Sequence, residues 1–341
     1  AFYHGEIARN IATAVANDPN RAGTLSISDL ASYHAIQRPA VCAPYRQYQV
    51  CGAPPPSSGG TTVLAILGTI EAIEQRRGPL RGVDFIHTFI EASRLAFADR
   101  NRYIADPDFV TVPTKELVDK RYLKSRAANI NVGQRLAKVE AGTPRGAPAV
   151  TDSSSPELPS TSHFSIVDAK GNVLSMTTSI ETAFGSRVFV DGFLLNNQLS
   201  DFSFNPVEKD GSKIANRIEA GKRPRSSMSP IIVFKDGSPV LAIGSPGGAR
   251  IIDYVAGSLH RILASEESIS DAIASGHVIA MGDTVELESG RFSEDVIQQL
   301  RKRGHPIKEG DQTSGLHGIV IKKSGLEGAA DPRREGQALG F

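Results

Sequence analysis

Hydrophobic positions change their period partway along this chain. Up to residue 130 they recur mainly at helical spacing. In "DFIHTFIEASRLAFADRNRYIAD", Phe85, Ile86, Phe89, Ile90, Ala96 and Phe97 form one apolar stripe, and "VLAILGTIEAI" reads as a second helix. Phe2, Ile7, Ile11 and Val15 share that spacing, so the chain is expected to open inside a helix. Beyond residue 160 the alternation is that of strands. "HFSIVDAKGNVLSMTTSI" reads as a hairpin turning at Lys170-Gly171-Asn172, and "SPIIVFKDGSPVLAIGSPGG" as another turning at Lys235-Asp236-Gly237-Ser238. A third pair fits "GIVIKKSGLEGAAD". Between the second and third pairs, Ile251, Ile252, Val255, Leu259, Ile262 and Leu263 return to helix period. Hairpins interleaved with helices predict antiparallel sheets covered by helices.

Two stretches interrupt the pattern. Residues 140–160, "EAGTPRGAPAVTDSSSPELPS", hold few bulky apolar groups and much Pro, Ser, Thr and Gly. Such a composition predicts a flexible segment and marks the internal boundary between 1–160 and 161–341. "GAPPPSSGGTT" (52–62) places a rigid Pro run before a Gly pair and a helix start. It fits either a plain loop or a segment that brings backbone close to a site.

Composition changes this picture little. Lys+Arg 38 against Asp+Glu 37 gives a net charge of +1, which supplies no electrostatic reason to expect nucleic acid or a membrane surface as partner. No apolar run is long enough for a membrane span. Zinc-type Cys/His spacing, a Walker loop and a dinucleotide fingerprint are all absent, so neither metal nor cofactor is expected. The opening residues lack an initiator Met and a signal-peptide pattern, which leads us to expect a fragment and leaves location unread at that end. Cys42 and Cys51 flank a strand-like segment with a turn; a disulfide and two buried thiols both fit the spacing.

The chemistry concentrates at "LPSTSHFSIVD", where the Ser/Pro-rich run gives way to what reads as a buried strand. Cutting the chain between Ser160 and Thr161 would give Thr161 a free α-amine with a reference pKa of ~7.7–8. That amine could act as general base for its own hydroxyl nucleophile, with no His–Asp relay. Thr161 is also an ordinary residue with which to enter a strand. His163 would share its face, but an N-terminal amine removes the need for it, and it is expected to be structural. Gly247-Gly248, just before a helix, offer either a tight turn or backbone N–H donors for an oxyanion. "LLNNQLSDFSF" groups Asn196, Asn197, Gln198 and Asp201, able to hold an ammonium or to form a solvated turn. "GKRPRSSMSP" sets Ser226 and Ser227 just before a strand.

Taken in order, "PPPSSGGTTVLAILGTIE", "EASRLAFADRNRYIADPDF", "TSHFSIVDAKGN", "LLNNQLSDFS", "KRPRSSMSP", "GSPGGARI" and "AADPRREGQALG" resemble the γ-glutamyltransferase (glutathione hydrolase) family of N-terminal-nucleophile hydrolases. The resemblance implies an α+β fold, a four-layer αββα sandwich. It implies a precursor that cleaves itself before Thr161 into a large and a small subunit that stay together. Thr161 would then attack a γ-glutamyl amide such as glutathione, and water or an amino-acid or peptide acceptor would resolve the acyl-enzyme. On the same resemblance, Gly247 and Gly248 are the oxyanion donors and Ser179 is the hydroxyl beside the nucleophile. Glu181, Gln198 and Asp201 lie near the substrate α-amine, and Ser226 and Ser227 meet its α-carboxylate. The family's carboxylate-clamping Arg lies in an N-terminal half that nothing here matches. No cofactor is implied, and the location implied is periplasmic or secreted. Acylases of glutaryl-type or cephalosporin substrates share the scaffold, and a non-catalytic homologue would keep the fold without self-cleavage.

Overall fold

In a computed structural model, which describes residues 2–152, 160–208 and 211–340, the strand segments assemble chiefly into one six-stranded antiparallel sheet. Its order is Val41–Tyr45, Tyr48–Gly52, Ile231–Lys235, Ser238–Gly244, His317–Lys322 and Gly325–Ala330. Three hairpins therefore lie side by side. At the Ile231–Gly244 turn, Asp236 and Gly237 both take positive φ, 50° and 78°, the backbone that lets a two-residue loop follow strand twist. Cys42 and Cys51 face each other across the first hairpin and form a disulfide.

One face of the sheet is covered by helices. Ile231, Val233, Leu241 and Ile243 enter the same core as Ile66 and Ile70 of helix Gly59–Arg77 and Ile252 and Leu259 of helix Ile251–Ala264. All are at most 1% exposed, and burying each contributes about 1.5–3 kcal/mol relative to leaving it in water. Helix Gly82–Tyr103 packs outside Gly59–Arg77. Its apolar stripe understates its burial, because His87, Glu91, Arg94, Asp99 and Arg100 are buried as well. Partners make this tolerable: Arg94 bonds Glu91 at 2.8 Å, and the His87 and His305 rings share a 2.7 Å hydrogen bond. A small sheet of Val278–Ile279, Val285–Glu288 and Ile307–Gly310, with one parallel pair, completes the cover over Ile86 and Ile90.

The second β layer is the hairpin Ser162–Val167 with Val173–Thr178. Along Ser238–Gly244 the residues alternate, so Gly244 faces away from the helices. A Cβ there would run into the His163 ring, which occupies that space, and Ser175 Oγ donates to Ile243 O at 3.1 Å. The hairpin thus stacks on the face opposite the helices. Its first strand was expected to bury its apolar residues, and the facing is the reverse. His163, Ser165, Ser175 and Thr177 point inward, while Phe164, Ile166, Leu174 and Met176 are 38–50% exposed. Hydrogen bonds and the missing side chain of Gly244, not apolar packing, set the inner contact. The expected stacking of helices, sheet and second β layer stands.

Two further expectations change. The first helix runs Glu6–Ala16, and Phe2 precedes it in a turn, stacked on Phe193 at 5.9 Å. The 140–160 segment is not loose throughout. Gly142 N–H donates to Asp99 at 2.7 Å, its carbonyl accepts from Tyr103 Oη at 2.7 Å, and Arg126 donates to Glu140 O at 2.8 Å. Ala147 and Val150 pack near Tyr103 and Ile104. Side chains of neighbouring helices thus satisfy backbone that composition left unpaired. The rest of that expectation, residues 153–159, lies outside the described residues.

Helix Gly59–Arg77 begins directly against the 226–229 loop. Ser58 N–H donates to Ser226 O at 2.7 Å, Ser226 N–H donates to Pro56 O at 3.2 Å, and Ser57 Oγ donates to Met228 O at 2.6 Å. Gly59 makes the approach feasible, since a Cβ there would run into Ser229 Oγ and the Met228 backbone. Gly59→Ala is accordingly expected to destabilise the fold by about 1–3 kcal/mol, read as a lower urea midpoint at unchanged m-value; an unshifted midpoint would show that the loop yields freely.

Candidate active site

A cleft of about 760 Å³ opens beside the start of the Ser162–Val167 strand. Its wall includes Thr161, Ser179, Glu181, Gln198, Asp201, Ser226, Ser227 and Gly248. Residues from five separate stretches of sequence therefore meet there. Pairing of Ser162 with Thr178 sets Thr161 beside Ser179. Thr161 Oγ1 lies against the carbonyl oxygen of Ser160 and 3.2 Å from Ser179 Oγ. Ser179 Oγ in turn donates to Ser160 O at 2.8 Å and accepts from Glu181 N–H at 2.9 Å. The chain is continuous at Ser160–Thr161, so this is the geometry of uncut backbone.

Glu181 is held in an unusual conformation. Its φ is 76° and it is buried, a left-handed backbone that a non-glycine residue keeps only where neighbours fix it. The fixing groups are Ser179 Oγ at its N–H and Asn197, whose Nδ2 donates to Glu181 Oε2 at 2.5 Å. Gln198 Nε2 donates to Ser179 O at 2.9 Å, which leaves Gln198 Oε1 buried with no hydrogen-bond partner among the described residues. A buried amide oxygen in that state is an acceptor awaiting a donor. Asp201 ends the short 3-10 turn Gln198–Asp201, and its carbonyl accepts from Asn216 Nδ2 at 2.8 Å.

The hydroxyl pair lines the same cleft. Ser226 Oγ accepts from Met228 N–H at 3.1 Å, and Ser227 Oγ accepts from Arg100 Nη2 at 2.6 Å. Arg100 Nε also donates to Ser58 Oγ at 2.8 Å. Asn216 Oδ1 accepts from Arg225 N–H at 2.9 Å, so Asn216 ties the Asp201 turn to the residue before Ser226. The "PPPSSGG" run does approach the site: Pro54, Pro56 and Ser57 line the cleft. Arg38 and Arg223 stand there too; Arg38 bonds Asp108 at 3.0 Å, and Arg223 lies over the Tyr33 ring.

Gly247 and Gly248 take φ of 138° and 61° and lead into helix Ile251–Ala264 through one 3-10 turn. Gly248 lines the cleft; Gly247 is buried behind it, where a Cβ would stand 2.7 Å from the Tyr254 ring. Gly247 suits glycine alone, and the positive φ of Gly248 favours glycine. His163, on the face shared with Thr161, is turned toward hydroxyls instead. Its Nδ1 pairs with Thr177 Oγ1 at 2.8 Å and its Nε2 with Ser165 Oγ at 3.2 Å. Burial, with a smaller effect of His317, pushes its pKa down to about 3, so it stays neutral.

Sequence reasoning missed Ser58, Arg100 and Asn216. A signal existed for Arg100: it continues the Ile90–Phe97 stripe at helical spacing, a charge on an apolar face. Among the described residues no group of three or more His, Cys, Asp or Glu could hold a metal ion, and no helix is long and apolar enough to cross a membrane.

The stacked helices and antiparallel β layers are those of the N-terminal-nucleophile hydrolase fold. The profile described as Gamma-glutamyltranspeptidase matches residues 1–341, and the chain belongs to that family. It is 35% identical over 341 residues to the glutathione hydrolase proenzyme of Escherichia coli (strain K12), covering 97% of this chain and 57% of that protein. It is 32% identical over 340 residues to the acylase ACY 1 proenzyme of Pseudomonas sp. (strain SE83), covering 98% and 57%. The crystal structure of cephalosporin acylase from Bacillus halodurans superposes with a TM-score of 0.83 at 26% identity, over 98% of this chain and 58% of that one. The chain thus spans 57% of the length of both curated relatives.

If His163 is structural, His163→Gln should leave turnover within about threefold of the parent, whereas loss of a general base costs about 10²–10⁴-fold. Steady-state rates on any substrate the parent turns over distinguish the two.

Proposed function

We propose that the protein carrying this chain cuts its own backbone between Ser160 and Thr161 and then uses Thr161 to transfer γ-glutamyl groups. The observation that carries this reading is the contact of Thr161 Oγ1 with the Ser160 carbonyl, with Ser179 bonded to both. In the uncut chain Thr161 Oγ1 attacks the Ser160 carbonyl carbon, the C–N bond breaks, and the nitrogen takes a proton to become the free amine. Ser179 O–H steadies the developing oxyanion, a contact of a type worth about 3 kcal/mol. Water then hydrolyses the Ser160 ester, leaving a carboxylate at Ser160 and a restored Thr161 hydroxyl.

The freed amine is the base for the second reaction. It takes the Thr161 proton as Oγ1 adds to the γ-carbonyl of glutathione or another γ-glutamyl amide. N–H groups of Gly247 and Gly248 receive the oxyanion, the departing amine takes the proton, and an acyl ester remains. Water gives hydrolysis; an amino-acid or peptide amine gives transfer. The buried Gln198 Oε1 and the carboxylates of Glu181 and Asp201 suit the substrate ammonium, and the Ser226 and Ser227 hydroxyls suit its α-carboxylate. No step draws on a cofactor.

The two products of the cut, 1–160 and 161–341, would remain one body. Strand Tyr48–Gly52 pairs with Ile231–Lys235 inside the main sheet, from Gln49–Phe234 to Gly52–Ile231. The Cys42–Cys51 disulfide favours an oxidising location, periplasmic or secreted.

A second reading, an acylase of glutaryl-type or cephalosporin substrates, draws on the similarity to the two acylases. Glutaryl substrates lack the α-amine, so they would not need Asp201.

Two experiments test these readings. The parent should run as two bands on a denaturing gel and release the chromophore from a γ-glutamyl anilide; Thr161→Ala should stay one band and release none. A Thr161→Ala variant that still splits would sink the reading. Asp201→Ala should lower kcat/KM for the γ-glutamyl anilide by about 10²-fold, and an unchanged rate on the glutaryl anilide, exceeding the γ-glutamyl rate, would instead establish the acylase.

A further inference from the structure

We propose that Tyr254 is a positioning residue that holds the Gly247–Gly248 turn in the shape that receives the oxyanion; this rests on the reading of that turn given above. Two consecutive glycines are permissive backbone. Oxyanion donors lower a barrier only when they are aimed before the charge develops. Rigidity at such a turn has to come from its neighbours. No acceptor among the described residues meets the N–H of Gly247 or of Gly248, so these donors do not fix the turn themselves.

Tyr254 supplies the backing. A long side chain on a helix leans toward the N-terminus, over the turn before its own Cα. On helix Ile251–Ala264 that direction carries the Tyr254 ring to Gly247. The ring is fully buried and fills the place a side chain at 247 would need. Its far end is tied down as well. Tyr254 Oη donates to Gln312 Oε1 at 2.8 Å, and the Thr313 backbone N–H also faces that oxygen. His277 packs against the ring, with 4.5 Å between centroids.

The stretch that anchors Tyr254 also grips both ends of the turn. Before the glycines, Gly315 N–H donates to Ser245 Oγ at 3.2 Å, and Ser245 Oγ donates to Pro246 O at 2.7 Å. Gly315 packs so closely that a Cβ there would stand 2.6 Å from the Pro246 ring. After the glycines, Arg250 Nη2 bonds Glu286 Oε1 at 3.0 Å, and Gln312 Nε2 reaches Glu286 Oε2 at 3.5 Å. Residues 312–315 therefore brace 245–250 from both sides. Of these contacts, the Tyr254 ring bears on the glycine directly. Self-cleavage as proposed takes its oxyanion donor from Ser179, not from this turn. Tyr254 thus serves substrate turnover and not the cut.

The test uses the protein carrying this chain, as parent, Tyr254→Phe, Gln312→Leu and the double variant. It measures kcat and KM on a γ-glutamyl anilide and the rate at which one band becomes two. It also measures inhibition by glutamate and by its analogue with a boronic acid in place of the γ-carboxyl. That boronic acid adds the Thr161 hydroxyl and sets a tetrahedral oxygen where the oxyanion forms. Loss of a whole oxyanion donor costs about 10²–10³-fold in kcat, so a loosened pair should cost about tenfold. Tyr254→Phe should therefore lower kcat about tenfold with KM within about twofold. The boronate inhibition constant should rise by the same factor, about tenfold, while that of glutamate stays put. Self-cleavage should keep its rate within about twofold. Gln312→Leu should match Tyr254→Phe, and the double variant should add no more than about twofold, because both act through one hydrogen bond.

Equal slowing of self-cleavage and turnover, or equal weakening of glutamate and the boronate, would mark Tyr254 as merely structural and overturn the proposal. Should Tyr254→Phe yield too little folded protein, Gln312→Leu decides by the same two comparisons. Were kcat unchanged in both single variants while turnover still required Thr161, this inference alone would fall. Were Thr161→Ala to retain turnover, the parent reading would fall and take the inference with it.

Discussion

The site depends on one register. Ser162 pairs with Thr178 and His163 with Thr177, so the hairpin delivers Thr161 and Ser179 to the same edge and the same face. A slip of one residue would turn Thr161 outward to the exposed face. Three local contacts hold the register. The turn is closed by Asp168, whose Oδ1 accepts from Lys170 N–H at 2.9 Å and Asn172 N–H at 2.8 Å. The His163 ring occupies the space a side chain at Gly244 would take, and Ser175 bonds the Ile243 carbonyl. These are polar, shape-specific contacts, which suits a strand that has to be aimed rather than only buried.

A second constraint joins the cleft walls. The 226–229 loop is clamped from one side by Pro56, Ser57 and Ser58 and from another by Arg100. Asn216, fully buried, bonds both Asp201 and Arg225. The acidic turn and the hydroxyl pair therefore cannot move independently. This geometric coupling fixes the Asp201 turn and the Ser226–Ser227 pair relative to each other within the cleft.

Much of this was legible in the chain. Period-2 runs with Asp-Gly or Lys-Gly-Asn turns located the hairpins, since strand alternation and turn chemistry are both local. The helix at 251–264 followed from apolar period, and motif order singled out Thr161, Ser179, Ser226, Ser227 and Gly248, which the fold brings to one cleft. What stayed hidden was decided by partners far away in sequence. Residues 140–152 look too polar to order, yet Asp99, Tyr103 and Arg126 supply their missing hydrogen bonds. The facing of Phe164 and Ile166 inverts the usual rule because Gly244 and backbone carbonyls, invisible to hydropathy, receive the polar side. Helix Gly82–Tyr103 hides charges that find partners, Glu91 with Arg94 one turn along the same helix and Asp99 with Arg126 of a neighbouring one. The small sheet with its parallel pair went unread because its strands are short and joined through a helix.

The neutral state of His163 bears on the source of the base. A ring held near pKa 3 by burial accepts protons too weakly to serve at neutral pH, and it is already engaged by Thr177 and Ser165. The amide nitrogen of Thr161 in the uncut chain is no base at all. On the proposed chemistry, the group that can fill the role comes into being only when the Ser160–Thr161 bond breaks, with an amine pKa of ~7.7–8. The Ser160 carbonyl meanwhile stands against Thr161 Oγ1 and takes the Ser179 proton, as an incoming amide carbonyl would have to approach the same nucleophile. One nucleophile would then serve two reactions in sequence, the first removing the occupant that blocks the second. That ordering follows from the uncut geometry itself and needs no conformational switch to enforce it.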